Sequence, residues 1–258
     1  MKIIQSIESL NEYTNQTYPQ EIGFVPTMGA LHLGHVSLIA QSIKENSITV
    51  VSIFINPTQF DQKNDLTHYP KETDKDLDKL RNLGIDAVFL PKYNEIYHDN
   101  YNFRIHENQL SNQYCGAHRK GHFDGVLTVV MKLFNLVKPT RAYFGEKDYQ
   151  QLSLIKNMVA AFFLDLEIVS CPTIRENDGL AMSSRNSRLA TEQRNIAAGL
   201  YKTISSGLDI NEIKERLTHL GFKIEYIEVL DNRLLVAAKL GNIRLIDNIQ
   251  IKSNKENK

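Results

Sequence analysis

Phe24-Val25-Pro26-Thr27-Met28-Gly29-Ala30-Leu31-His32-Leu33-Gly34-His35 is the stretch from which the rest of the chain can be read. Residues 22–25 make a short apolar run suited to a buried strand, Pro26 and Gly29 punctuate a turn, and Val36, Leu38, Ile39 and Ile43 then recur at helical spacing. Strand, turn and helix thus follow in order. The start of a helix leaves backbone N–H groups unpaired and carries partial positive charge, so Gly34-His35 marks an anion site flanked by two imidazoles. Taken alone, two histidines in a turn are equally well explained as ordinary loop residues.

Outward from this stretch the same order repeats. Residues 48–55 are almost continuously apolar and rich in β-branched side chains, as in a parallel strand covered on both faces. Leu77, Leu80 and Leu83 lie at helical spacing, and Gly84 is a natural stop before a strand at 85–90. Residues 126–137 read as a buried helix ended by Pro139, 142–144 as a short strand, 149–163 as a helix and 166–170 as another strand. Repeated β-then-α order implies an α/β fold with a doubly wound parallel sheet, in which ligands bind at the carboxyl ends of the strands. After Pro172 the pattern changes to a loop at 178–186, helices at 191–205 and 211–220, and a strand at 222–230 with which 242–251 is expected to pair. The expected domains are therefore 1–173 and a small α+β unit at 174–258, with a frayed charged tail at 252–258.

Composition narrows the function classes. A chain of 258 residues is long enough for a substantial core. Lys+Arg and Asp+Glu both total 30, so no global field favours nucleic acid as a partner. Cys115 and Cys171 are far apart and lack metal-ligand spacing, which suits buried, reduced thiols. The N-terminus turns polar too soon for a signal peptide, and no apolar run approaches the ~18 residues of a membrane span. A cytoplasmic protein without a membrane partner is the expectation.

Three further motifs follow strand ends or the domain junction. Asn56-Pro57-Thr58-Gln59-Phe60 offers amides that can grip a small polar ligand beside an aromatic wall, although Asn-Pro alone is simply a turn signal. Gly145-Glu146-Lys147-Asp148-Tyr149-Gln150-Gln151 opens a helix, where Asp148 could serve only as a cap. Met182-Ser183-Ser184-Arg185-Asn186 sits in the loop at the domain junction, where it could close over a nucleotide, although a lone SSR tripeptide reads as solvated loop.

In this order, and together with Gly121-His122-Phe123 and Arg244-Leu245-Ile246-Asp247-Asn248, these motifs resemble the pantoate–β-alanine ligase family, within the HxGH nucleotidyltransferase group. The MSSRN loop is similar to the KMSKS loop of class I aminoacyl-tRNA synthetases. A nucleotidylyltransferase of the same fold would share HLGH, but not the paired amides Gln59 and Gln151. The resemblance implies a Rossmann-like first domain, a smaller lid domain, a homodimer, and ATP with Mg²⁺ acting on pantoate and β-alanine. It further implies that His32, His35, Lys147, Ser183, Ser184 and Arg185 act on the triphosphate, and that Met28, Gly34, Gly145, Asp148, Ile174 and Met182 complete the ATP site. Gln59 and Gln151 would hold pantoate among Pro26, Met28, Phe60 and Val126, with Arg119 near the phosphates.

Two positions depart from the family pattern. Lys120 stands where a Pro is common, and the acidic cluster on the metal side reads Asp74-Lys75-Asp76, leaving the Mg²⁺ ligands unassigned. The second domain looks short for the family.

Overall fold

Among the residues described by the computed structural model, 1–251, six strands pair in parallel. They are β1 (Lys2–Ile4), β2 (Ile22–Thr27), β3 (Ile48–Ile53), β4 (Ala87–Phe89), β5 (Arg141–Gly145) and β6 (Glu167–Cys171). Their spatial order is β1-β4-β3-β2-β5-β6. The expected charged tail at 252–258 lies outside the described residues.

The period-2 alternation of each strand decides which helix it meets. Val25, Val51, Val88, Tyr143 and Cys171 point to one face, where they bury Leu38 and Ile39 of the helix Leu33–Glu45 and Leu77 and Leu80 of the helix Thr73–Leu83. On the other face Phe24 meets Phe134 of the helix His122–Val137 edge-on at 6.4 Å, and Phe134 meets Phe144 at 6.2 Å. With both faces covered, near-continuous apolar strands are required, which is why β3 is legible as Ile-Thr-Val-Val-Ser-Ile.

Strand order reverses at β2. The chain leaves β2 toward β3 and β4, then returns to lay β5 on the opposite side of β2. The loops at the carboxyl ends of β2 and β5 therefore start from adjacent strands at the switch point, where open α/β sheets bind ligands.

The chain divides into two compact units, Met1–Glu146 with Gln151–Pro172, and Lys147–Gln150 with Thr173–Lys258. The second unit contains an antiparallel meander of β7 (Lys223–Leu230), β8 (Arg233–Leu240) and β9 (Ile243–Gln250), packed on the helices Thr191–Ala197, Gly199–Ile204 and Ile210–His219. Three expectations need correction here. The segment at 242–251 pairs with β8 and not with the strand at 222–230, because β8 lies between them. The helix expected at 191–205 breaks at Ala198 into two. The loop expected at 178–186 is partly ordered, with an Arg175–Ala181 bridge and a 3-10 turn at Ser184–Arg188.

Candidate functional site

The turn after β2 is held by an unusually complete set of backbone bonds. Thr27 Oγ1 accepts the Gly29 N–H at 3.2 Å, while the two oxygens of Asp76 accept the N–H groups of Ala30 and Leu31 at 2.7 and 2.8 Å. Lys79 Nζ donates to the Leu31 carbonyl at 2.5 Å. These bonds hold Gly29 and Ala30 in the left-handed region, at φ 79° and 51°, which costs an alanine about 1 kcal/mol or more. Leu31 is 2% exposed, and its burial adds about 2 kcal/mol to the same anchoring.

His32 then caps the helix Leu33–Glu45. Its Nδ1 accepts the Gly34 N–H at 3.1 Å, and His35 Nδ1 accepts the His32 N–H at 3.3 Å. The two rings stack with centroids 4.0 Å apart. Because each Nδ1 is an acceptor, each neutral imidazole carries its proton on Nε2. The sequence therefore builds a pair of Nε2–H donors at the positive end of a helix.

A second loop, after β3, is organised by Asn56, which is 1% exposed. Its amide nitrogen donates to Gln59 Oε1 at 3.0 Å and to the Gly125 carbonyl at 3.1 Å, while its oxygen accepts from Thr58 and from the Tyr97 hydroxyl at 2.8 Å. Asn56 is thus an internal hub, and the expectation that its amide grips ligand is corrected to one of holding Gln59. Gln59 Nε2 in turn reaches Met28 Sδ at 3.2 Å. Gly125 is required for this arrangement, since a Cβ there would lie 2.5 Å from the Thr58 carbonyl carbon and 2.7 Å from Gln59 N. Val126 beside it is buried, whereas Pro26, Met28, Phe60 and Gln151 are half-buried.

Arg119 belongs to this loop. Its Nε donates to Asp61 at 2.9 Å, one terminal nitrogen to the Gln59 carbonyl at 3.3 Å and the other to His122 Nε2 at 2.9 Å. His122 Nδ1 donates to the Gln59 carbonyl at 2.7 Å. No motif spacing announced the roles of His122, Asp76 or Lys79.

The other candidate residues lie in the second unit, apart from Gly145, which ends β5. Lys147 Nζ sits 3.6 Å from Asp148 Oδ2. Ile174 and Met182 face each other across a short hairpin, with the Met182 N–H donating to the Ile174 carbonyl at 3.0 Å. Ser183 Oγ accepts the Arg185 N–H at 3.2 Å and so caps the turn Ser184–Arg188. Asn186 ties that turn to Glu176 at 2.8 Å and to the Ala181 carbonyl at 3.0 Å. Arg194 bridges Glu176 and Asp178, and its hydrogen bond holds the Asp178 carboxyl below the usual range.

Among the described residues no three His, Cys, Asp or Glu side chains converge to hold a metal ion. Asp76 is already engaged by two backbone N–H groups and Asp74 is exposed, so the Asp74-Lys75-Asp76 cluster does not fit a protein-ligated cation. Burial pushes the Cys171 thiol up to about 11, which suits an inert core thiol. No described helix is long and apolar enough to cross a membrane.

The family model for pantoate-beta-alanine ligase matches residues 2–250. The chain is 55% identical to a pantothenate synthetase of Bdellovibrio bacteriovorus, covering 89% of this chain and 92% of that one. It is 52% identical to the Legionella pneumophila pantothenate synthetase, over 96% and 99% of the two chains. A crystal structure of the Francisella tularensis pantoate-beta-alanine ligase, complexed with beta-gamma ATP and beta-alanine, superposes with a TM-score of 0.93 at 42% identity, covering 97% of each chain.

Proposed function

The chain belongs to the pantoate–β-alanine ligase family, and from that premise we propose that it joins pantoate to β-alanine in two ATP-dependent steps. The pantoate carboxylate attacks the α-phosphate of ATP, giving pantoyl adenylate and pyrophosphate. The β-alanine amine then displaces AMP and gives pantothenate, with one proton lost from the amine. The observation that carries this reading is the stacked His32–His35 pair, whose Nδ1 atoms both accept backbone N–H groups and so place the ring protons on Nε2, at a helix start.

The chemistry accounts for the residue types. A carboxylate nucleophile with a pKa of ~4 is ionised at pH 7, so the first step needs no general base. It needs in-line positioning and donors that stabilise negative charge on the α-phosphate and the departing pyrophosphate. His32, His35, Lys147, Ser183, Ser184 and Arg185 supply these donors in our assignment, with Gly34, Gly145, Asp148, Ile174 and Met182 toward the nucleoside. Gln59 and Gln151 take the pantoate hydroxyls, and Pro26, Met28, Phe60 and Val126 its methyl groups. A phosphate contact for Arg119 competes with Asp61 for the guanidinium. Mg²⁺ enters as part of the ATP substrate, held by phosphates and water, a mode that ion commonly uses. The family resemblance supports a cytoplasmic homodimer.

Incubation of the purified protein with ATP, Mg²⁺, pantoate and β-alanine tests the reading. AMP, pyrophosphate and pantothenate are expected in equal amounts. ADP and phosphate as products would overturn the adenylate mechanism.

A further inference from the structure

The late motif Arg244-Leu245-Ile246-Asp247-Asn248 has no role in the reaction as set out above, yet it holds two of the chain's most deeply buried polar side chains. Asp247 is 2% exposed and Asn248 3% exposed, both on β9. Buried polar groups are costly unless hydrogen-bonded, so the partners they find indicate what the site requires. Here, besides Arg233 of β8, the partners lie on the two segments of the second unit assigned to the nucleotide.

Asp247 receives both terminal nitrogens of Arg175, at 2.6 and 3.0 Å. The Arg175 guanidinium carbon lies over the Tyr201 ring, 3.6 Å from its centroid, and Arg175 also donates to the Gly179 carbonyl at 3.1 Å. It therefore fixes both arms of the hairpin in which Ile174 faces Met182. Asn248 donates through Nδ2 to the Lys147 carbonyl at 3.0 Å and accepts from Arg233 through Oδ1 at 2.7 Å. A guanidinium can only donate, so the amide has one orientation and its nitrogen must face Lys147. Asp247 Oδ1 also accepts the Asn248 N–H at 2.8 Å, coupling the two anchors.

We propose that Asp247 and Asn248 are positioning residues of the nucleotide site, two adjacent side chains that hold the Lys147 segment and the Ile174–Met182 hairpin in one frame. The proposal rests on the assignment of Lys147, Ile174 and Met182 to ATP. A small displacement of a charge-stabilising group is enough to slow phosphoryl chemistry, so a frame of this kind sets how well the ammonium meets the triphosphate.

Asn248→Asp is the selective test, because it keeps the acceptor toward Arg233 and removes the donor to the Lys147 carbonyl. Arg175→Lys is the companion on the other segment, keeping charge but losing the two-pronged contact. Pyrophosphate release is followed while ATP and pantoate are varied in turn, with thermal midpoints measured without ligands. In each variant the KM for ATP is expected to rise about tenfold, the scale of one lost hydrogen bond, while the KM for pantoate stays within about twofold. If Asn248→Asp does not fold, Arg175→Lys decides. An unchanged ATP KM with a lowered melting point, or equal shifts in both KM values, would show a merely structural role. Lys147→Ala separates the two levels of argument. Full adenylation in that variant overturns the Lys147 assignment and this proposal with it, whereas slow adenylation there with normal ATP KM in both test variants overturns this proposal alone.

Discussion

The loop at 27–35 and the segment at 174–188 are assigned the same task, offering donors to phosphate, but they are held by different physics. In the first, backbone N–H groups from Gly29 to Gly34 donate to side chains, and the carboxylate that takes two of them, Asp76, is 1% exposed. In the second, much of the holding is between side chains, Asn186 with Glu176 and Arg194 with Glu176 and Asp178. The side chains of Arg194 and its partners Glu176 and Asp178 are 28–36% exposed. A buried carboxylate has no solvent to replace its partners, while ion pairs that still reach solvent compete with water and contribute ~0–1 kcal/mol each. The first loop is therefore built before ligand arrives; in the second, the buried Arg175–Asp247 pair fixes the hairpin at 174–182 in the same way, and the turn Ser184–Arg188, tied through Asn186, Glu176 and Arg194, is the part left freer to adjust.

The sharpest way to break this contrast is to remove a donor from the rigid loop without disturbing its frame. In His35→Asn the side-chain oxygen can still accept the His32 N–H, but no group replaces Nε2–H. Adenylation is expected to fall ~100-fold, as for loss of a preorganised donor, with a nearly unchanged melting point. Near-normal pyrophosphate release would show that the imidazole is only part of the scaffold.

Asp76→Ala attacks the frame itself. It strands the Ala30 and Leu31 N–H groups in a buried turn, and a loss of about 2 kcal/mol in urea denaturation is expected, together with slower adenylation. Unchanged stability would mean that water replaces the carboxylate, and the contrast between the two regions would lose its physical basis.

How much of this was readable from the chain differs between the regions for related reasons. β2, β3 and the helix after His32 announce themselves through periodicity, and the motif residues 32–35 are neighbours in sequence. Asp76 is 46 residues from Ala30, and nothing in a single sequence joins a helical carboxylate to a distant N–H. Asp247 and Arg175 are 72 residues apart and equally silent. β1 is three residues long, and the helix Ile7–Thr17 buries only Leu10 and Thr14, too little for a stripe. β8 reads Arg-Leu-Leu-Val-Ala-Ala-Lys-Leu, a composition with helical preference that becomes a strand because it is the central member of the meander. Its two-residue turns, Asp231-Asn232 and Gly241-Asn242, with positive φ at Asp231 and Gly241, were the available signal.

A third variant asks whether the pantoate role assigned to Gln151, on the helix Tyr149–Ala161, is separable from that of the phosphate donors. Gln151→Ala is expected to lower kcat/KM for pantoate about tenfold, the cost of leaving a substrate hydroxyl unpaired, with ATP affinity by calorimetry little changed. Lost ATP binding with normal pantoate kinetics would reverse the assignment.

The smallest effect belongs to the half-buried network of the second region. The Arg194 hydrogen bond keeps Asp178 below its ordinary value near 3.8, so the pair's contribution is complete above that value and disappears as pH falls through the folded value beneath it. With solvent screening the contribution at neutral pH is ~0.5 kcal/mol. Thermal midpoints of the native chain and Arg194→Gln should therefore differ slightly at pH 7, and the gap should close as the pH is lowered through the depressed folded value of Asp178, beneath the ordinary carboxylate range. High salt at pH 7 should narrow it as well, since the pair is within reach of counterions. A large gap, insensitive to salt and still present at acid pH, would mean that Arg194 is held as firmly as Asp76, and the second segment would then be as pre-built as the first.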